Sequence, residues 1–254
     1  MNQRLMNAHP ALLEICVESF AGAEAAEAGG ADRIELCSAL SEGGLTPSYG
    51  SIVQILRGTS IPVMVMIRPR GGSFSYSDRE LDVMMTDVRH VCSLSAIGSL
   101  EGIVFGILDD SGRVDVDRCK RLVDAAYPLS CTFHRAIDVA SHPLEALETI
   151  VGCGFERILT SGQAPSAPDG IDTIRKLVEQ ASGRISIMAG AGVRPDNAAD
   201  MIRLTGVTEL HSSASVMVDN GPSLPGEEAR TRRETSAEQV GALRQAIENC
   251  QKVG

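Results

Sequence analysis

The chain has no tryptophan and only 3% aromatic residues, so its core has to be built from aliphatic side chains and methionine. Such a core suits a parallel sheet covered on both faces by helices. Basic clusters and aromatic–basic alternation are also missing. With a formal net charge of -10, neither nucleic acid nor an anionic membrane is an expected partner. No run reaches the roughly 18 consecutive apolar residues of a membrane span. Met1 to Pro10 shows neither an apolar h-region nor a small-residue cleavage site. A soluble, cytoplasmic protein is the expectation. Paired cysteines are absent as well: the 7 cysteines are an odd number, scattered and without a Cys-x-x-Cys pair, which excludes a disulfide framework.

What is present is alternation. Short runs rich in Val, Ile and Leu recur at Leu12–Val17, Arg33–Leu36, Val63–Ile67, Gly102–Gly106, Ser130–Arg135, Arg157–Leu159, Ile185–Ala189 and Glu209–His211. Between and after them lie helix-length amphipathic stretches at Ala21–Ala28, Ser48–Arg57, Asp78–Leu94, Asp115–Ala126, Pro143–Val151, Gly170–Ala181, Pro195–Leu204 and Ala237–Asn249. Capping boxes are predicted at Ser77–Glu80 and Ser236–Gln239, an N-cap at Ser141 ahead of Pro143, and helix stops at Gly29-Gly30 and at Gly152 with Gly154. Eight βα units form either an open doubly wound sheet or a closed barrel. The first strand leads into Val17-Glu18-Ser19-Phe20 rather than a Gly-rich dinucleotide turn, which favours a single (β/α)8 barrel, one domain over 1–254 with its core at about 11–215. Two long connections, Arg68–Ser77 and Val216–Thr235, are of the kind that carries function or subunit contacts.

In such a barrel chemistry belongs at the C-terminal ends of the strands. There the sequence is polar: Glu14, Cys16 and Glu18, then Glu35 and Cys37, Arg68 and Arg70, Asp109, His134, Arg135 and Asp138, Ser161, and His211. Side chains alternate along a strand, so Leu13, Ile15 and Val17 face the helices while Glu14 and Cys16 face inward, as do Glu35 and Cys37. Buried carboxylates require counter-charges, and Arg68 and Arg135 are the expected ones. The same set could be no more than a salt-bridge cluster that fixes barrel register. His134 and His211 on the same rim speak for a site, whereas His9, His90 and His142 are expected at the surface or in packing. Glycines and serines after the sixth, seventh and eighth strands (Ser161, Gly162, Gly190, Gly192, Ser212 and Ser213) could cradle an anion, as barrels often do there, or could only permit tight turns. Cys16 and Cys37, read as occupying equivalent positions on adjacent strands about 4.8 Å apart, could share a soft ion such as Cu(I). The other five cysteines are expected to be packing residues.

The runs Leu13-Glu-Ile-Cys-Val-Glu-Ser19, Gly30-Ala-Asp-Arg-Ile-Glu-Leu-Cys37, Ser41-Glu-Gly-Gly-Leu-Thr-Pro-Ser48, Met66-Ile-Arg-Pro-Arg-Gly-Gly72, Phe133-His-Arg-Ala136, Arg157-Ile-Leu-Thr-Ser-Gly162 and Ala189-Gly-Ala-Gly-Val193 together resemble the CutC copper-homeostasis family. The resemblance spans Leu12 to Ser215, with mild departures at Ile137 and Ala189. It implies a TIM barrel, cytoplasmic location, homo-oligomers (dimer or tetramer), and copper as Cu(I) held by the cysteines matching Cys16 and Cys37. A second reading is an isomerase, lyase or aldolase-like enzyme. There Arg68 and Arg70 bind a small anionic, phosphorylated substrate, the Gly190/Gly192 loop holds its phosphate, and His134, Glu35 or Asp138 is the acid or base. A third is a packed barrel whose polar rim serves subunit assembly.

Overall fold

A computed structural model describes residues 11–219, 221 and 231–252. In chain order the repeating elements are β1 (Leu12–Val17), α1 (Phe20–Ala28), β2 (Arg33–Leu36), α2 (Tyr49–Gly58), β3 (Val63–Met66), α3 (Asp78–Cys92), β4 (Leu100–Phe105) and α4 (Val116–Ala126). They continue with β5 (Ser130–Phe133), α5 (Pro143–Cys153), β6 (Arg157–Thr160), α6 (Ile171–Ala181), β7 (Ser186–Ala189), α7 (Ala198–Thr205) and β8 (Glu209–Ser212). The eight parallel strands close in sequence order, β1 pairing with both β2 and β8. The expected (β/α)8 barrel is therefore the observed fold. Beyond it come a hairpin, β9 (Ser215–Asp219) with β10 (Thr231–Thr235), and a closing helix, α8 (Ala237–Lys252).

Strand alternation sorts the interior as the sequence pattern requires. Leu13, Ile15, Val17, Ile34 and Leu36 pack outward, under the helices, in one continuous apolar layer. The barrel lumen is different. Its apolar lining includes the small group Cys37, Met64, Met66 and Val104, and much of the remainder is charged: Glu14, Arg33, Arg157 and Glu209 are all buried. Val240, Leu243 and Ile247 of α8 join the outer apolar layer, so the C-terminal helix packs onto the barrel flank.

Local signals place the ends of the elements. The Ser77 hydroxyl accepts from Glu80 N while the Glu80 carboxylate accepts from Ser77 N, a full capping box for α3. Ser236 Oγ accepts from Gln239 N at the start of α8. Gly154 ends α5 with φ of 91°, where a side chain would be strained. Three expectations need correction. Ser141 is not the cap of α5: its amide and hydroxyl both donate to Gly112 O, and His142 takes the N-cap position without a side-chain bond. Gly152 lies inside α5, because nothing in its backbone breaks the helix before Gly154. The Val216–Thr235 connection is no simple loop: its β-branched ends, Val216 and Val218 against Arg232 and Glu234, pair as antiparallel strands. His9 lies outside the described residues.

Candidate functional site

Register decides who meets whom in the lumen. β1 and β2 align Glu14 with Arg33 and Cys16 with Glu35, so the two Glu-x-Cys triplets are offset by two residues. Cys16 and Cys37 are thus not at equivalent positions, contrary to the sequence expectation. Arg33 Nε lies 2.5 Å from Glu14 Oε2 and its Nη2 lies 2.5 Å from Glu209 Oε2, while Arg157 Nε binds the same Glu209 oxygen at 2.5 Å. Ser186 Oγ donates to Glu209 Oε1 at 2.6 Å, and Arg157 Nη1 donates to Thr132 Oγ1 at 3.1 Å. Burial alone would push the Glu14 carboxyl up, but Arg33 and His211 outweigh it and hold its pKa at about 2. Glu209 is likewise held low by Arg157 and Arg33 against its burial.

The expected counter-ions, Arg68 and Arg135, do neither job. Arg68 is buried and spends its guanidinium on the Glu42, Gly44 and Gly72 carbonyls, stacked 4.8 Å from the Phe74 ring. Arg135 is exposed and binds Asp138 and Ser161. The reason is positional: both follow the ends of their strands, above the level at which Glu14 is buried. Arg33, on the inward face of β2 two residues before Glu35, was the legible signal that strand-end reasoning passed over. Arg157 and Glu209, which open β6 and β8, were missed for the same reason.

Above this ion-pair layer three donors converge. His211 Nδ1 lies 2.8 Å from Glu14 Oε1, which turns Nε2 toward Glu35 Oε2 at 3.7 Å. One ligand atom each from Cys16, Glu35 and His211 lie within 4.8 Å of one another, all three residues buried. Cys37 Sγ joins from the side, donating to Glu35 Oε2 at 3.5 Å. Burial, Glu35 and Cys16 push the Cys37 thiol well up. Burial also raises Glu35, with neighbouring Glu14 adding to it. His211 goes the other way from an ordinary buried histidine: burial disfavours its charge, but Cys16, Glu35 and Glu14 lift its pKa well above the usual value. Close packing permits the approach, since a Cβ on Gly190 would fall 2.5 Å from Leu159 Cδ1 and 3.2 Å from His211 Cβ.

A cavity of about 130 Å³ opens over this cluster, lined among others by Cys16, Glu35, His134 and His211. His134 Nδ1 accepts from Ala136 N at 3.2 Å, so the neutral ring carries its proton on Nε2. Burial and the Arg68 charge hold its pKa down, at about 3. Two buried polar atoms of the cavity residues have no hydrogen-bond partner among the described residues, His134 Nε2 and Glu35 Oε1.

The remaining expected residues divide. Asp138 is saturated: its oxygens accept from Thr160 Oγ1, Ser161 N and Oγ, Gln163 N and Arg135 Nε. Arg70 lies outside the cavity, binding Glu80 and the Gly71, Ser73 and Ser75 carbonyls, so it organises the loop before α3. Ser161 Oγ and Ser212 Oγ donate to Ala164 O and Val193 O, and the Gly162 and Gly190 amides donate to Thr160 Oγ1 and Thr160 O. Those four residues build the loops. Gly192 and Ser213, together with Ser212, line a second cavity of about 610 Å³, which shares Cys16, Arg135 and His211 with the first. His90 and His142 are exposed, His90 stacking on Tyr49.

A closed parallel barrel whose mouth gathers a thiol, a carboxylate and an imidazole around one buried point defines a class: TIM barrels with a buried Cys–Glu–His cluster in the lumen. Within it, the chain belongs to the CutC family, which residues 11–216 match. It is 49% identical over 210 residues to the human copper homeostasis protein cutC homolog, covering 83% of this chain and 76% of that one. With the CutC family protein of Chromobacterium violaceum it shares 45% identity over 246 residues, 93% of this chain and 98% of that one. The crystal structure of CutC from Streptococcus agalactiae superposes with a TM-score of 0.74 at 36% identity, covering 80% of this chain and 98% of that one. A thiamine phosphate pyrophosphorylase from Pyrococcus furiosus, at 17% identity and a TM-score of 0.58 over 94% of this chain and 96% of its own, shares the fold alone.

Proposed function

We propose that the barrel mouth binds one Cu(I) ion, with Cys16 and Cys37 as thiolate donors and His211 Nε2 completing the set. The supporting observation is the buried cluster in which one ligand atom each from Cys16, Glu35 and His211 lie within 4.8 Å of one another, with Cys37 Sγ beside it at 3.5 Å from Glu35 Oε2. Cu(I) favours thiolate and imidazole donors and low coordination numbers, and this donor set suits it better than a hard cation. The names of the human and bacterial relatives, which cite copper homeostasis and CutC, lend the metal its identity.

The residues divide the work. Cys16 and Cys37 must lose their thiol protons on binding, and so must a charged His211. Glu35 sits within reach of Cys37 and His211 and is positioned to receive a proton as the ion enters. Glu14, anchored by Arg33, hydrogen-bonds His211 Nδ1 and so fixes which ring nitrogen faces the ion. The cytoplasm suits this chemistry, because all seven cysteines are free and a reducing compartment keeps them so. Among the described residues no helix is long and apolar enough to cross a membrane. We propose also that the whole chain folds as one unit, α8 being packed on the barrel. Self-association into a dimer or tetramer through the hairpin, where Met217 and Val216 are exposed, completes the proposal.

Anaerobic titration with Cu(I) against a competing chelator tests the assignment. About one tight equivalent is expected, abolished in the Cys16→Ala/Cys37→Ala double variant and weakened about 10- to 100-fold in Glu14→Gln. Wild-type affinity in the double variant would rule the thiolate site out.

A further inference from the structure

The larger of the two cavities is unlike the rest of this acidic protein. Arg194 and Arg233 line it against a single acid, Asp196, beside Arg135, whose guanidinium is paired with Asp138, in a chain of net charge -10. Its floor is the backbone that leaves β7 and β8. There the amides of Ala191, Gly192, Val193 and Ser213 have no acceptor among the described residues. Ala191 and Gly192 both take left-handed backbone conformations, φ 71° and 80°. Amides grouped beside guanidinium groups make a receptor for a tetrahedral dianion: the amides supply fixed dipoles and the arginines charge-assisted bonds.

A second, independent observation points to what such an anion is attached to. The inner cavity adjoins the outer one through Cys16, Arg135 and His211, which line both. Among the residues that line the inner cavity are His134 and Glu35, whose Nε2 and Oε1 atoms, a donor and an acceptor, are buried and without a partner among the described residues. Unpaired buried polar atoms are costly, of the order of 1–3 kcal/mol each, and two in one small cavity call for a ligand with both acceptor and donor groups. A volume of about 130 Å³ accommodates only a few heavy atoms, given roughly 30 Å³ for a water molecule. That is the size of a two- or three-carbon hydroxylated group.

We propose that the barrel mouth binds a short-chain phosphate monoester, its phosphate on the Gly192, Val193 and Ser213 amides between Arg194 and Arg233, and its hydroxylated end between His134 Nε2 and Glu35 Oε1. This site adjoins the proposed Cu(I) site and shares Glu35 and the inner cavity with it, but the observations behind it do not depend on the ion. A bare ion carrier needs neither the basic outer cavity nor the unpaired His134.

Calorimetric titration of chelator-treated, metal-free full-length protein with inorganic phosphate, glycerol 3-phosphate and glycerol tests it. Phosphate is expected to bind in the millimolar range and glycerol 3-phosphate about tenfold or more tightly, with glycerol alone silent. Arg194→Glu/Arg233→Glu, a substitution of surface-facing side chains, should abolish binding of both phosphates while leaving Cu(I) affinity intact. His134→Leu should bring glycerol 3-phosphate down to the affinity of phosphate. Absence of phosphate binding, equal affinity for the two phosphates in the wild type, or undiminished binding in the arginine variant would each overturn the proposal. The arginine variant keeps it falsifiable even if His134→Leu does not fold.

Discussion

Replacing Arg33 by Met removes the guanidinium that pairs with Glu14, in nearly the same volume, and leaves His211 as the remaining charged partner. Glu209 keeps Arg157 and Ser186 as partners, so the loss falls on Glu14, which is wholly buried. Breaking a buried pair by removing one member costs about 3–5 kcal/mol. Proton linkage gives a similar figure: holding Glu14 at about 2 instead of 4.5 corresponds to about 3 kcal/mol of stability at neutral pH. At about 2–4 °C per kcal/mol for a chain of this size, the melting temperature should fall by about 6–20 °C. The pH dependence distinguishes charge from packing. Because the folded-state pKa of Glu14 is depressed, its contribution is complete above about 4.5 and is lost as pH falls toward about 2. The variant, with Glu14 left to His211 alone, gains stability on acidification as that carboxyl takes up a proton. The gap between the two proteins should therefore be widest near neutrality and shrink toward pH of about 4. Urea unfolding at both pH values measures it. A deficit under about 1 kcal/mol at neutral pH, or the same deficit at both, would refute the ion-pair account.

Two further outcomes follow from the site. Cu(I) affinity should rise with pH by up to about tenfold per unit for each proton displaced, because the Cys37 thiol is pushed up and must deprotonate; a flat competition titration between pH of about 6 and 8 would contradict thiolate ligation. His134 should remain a neutral ring with its proton on Nε2 down to a pH of about 3, so that stability declines as pH drops below the ordinary histidine value of about 6.5. Nitrogen chemical shifts of the imidazole would show this, and titration near 6.5 would disprove it.

Much of the barrel was legible because its determinants are local. Alternating apolar residues in β1 assign Leu13, Ile15 and Val17 to the helix side and leave Glu14 and Cys16 inward, and the absence of a dinucleotide turn selects closure over an open sheet. Of the candidate residues near strand ends, Glu14, Cys16, Glu35, His134 and His211 come together in space. Arg68, Arg70 and Asp138 carry the same residue types at the same kind of position, yet their groups are consumed by loop carbonyls, Glu80 and the Ser161 turn. Residue type alone cannot separate these, since a guanidinium that holds a loop and one that holds a ligand look the same along the chain.

The sequence by itself determined the fold class, the inward faces of the strands and the family. Each depends on periodicity or on motifs a few residues long, which the chain carries wherever it is read. Tertiary structure alone decided the partnerships. The two-residue offset that sets Cys16 opposite Glu35 and Glu14 opposite Arg33 is a property of how β1 and β2 slide past one another on closure. The meeting of Glu14 with His211 joins residues 197 positions apart, across the seam where β8 returns to β1. Closing a barrel fixes every register at once, and that shared constraint brings a thiol, a carboxylate and an imidazole to one point.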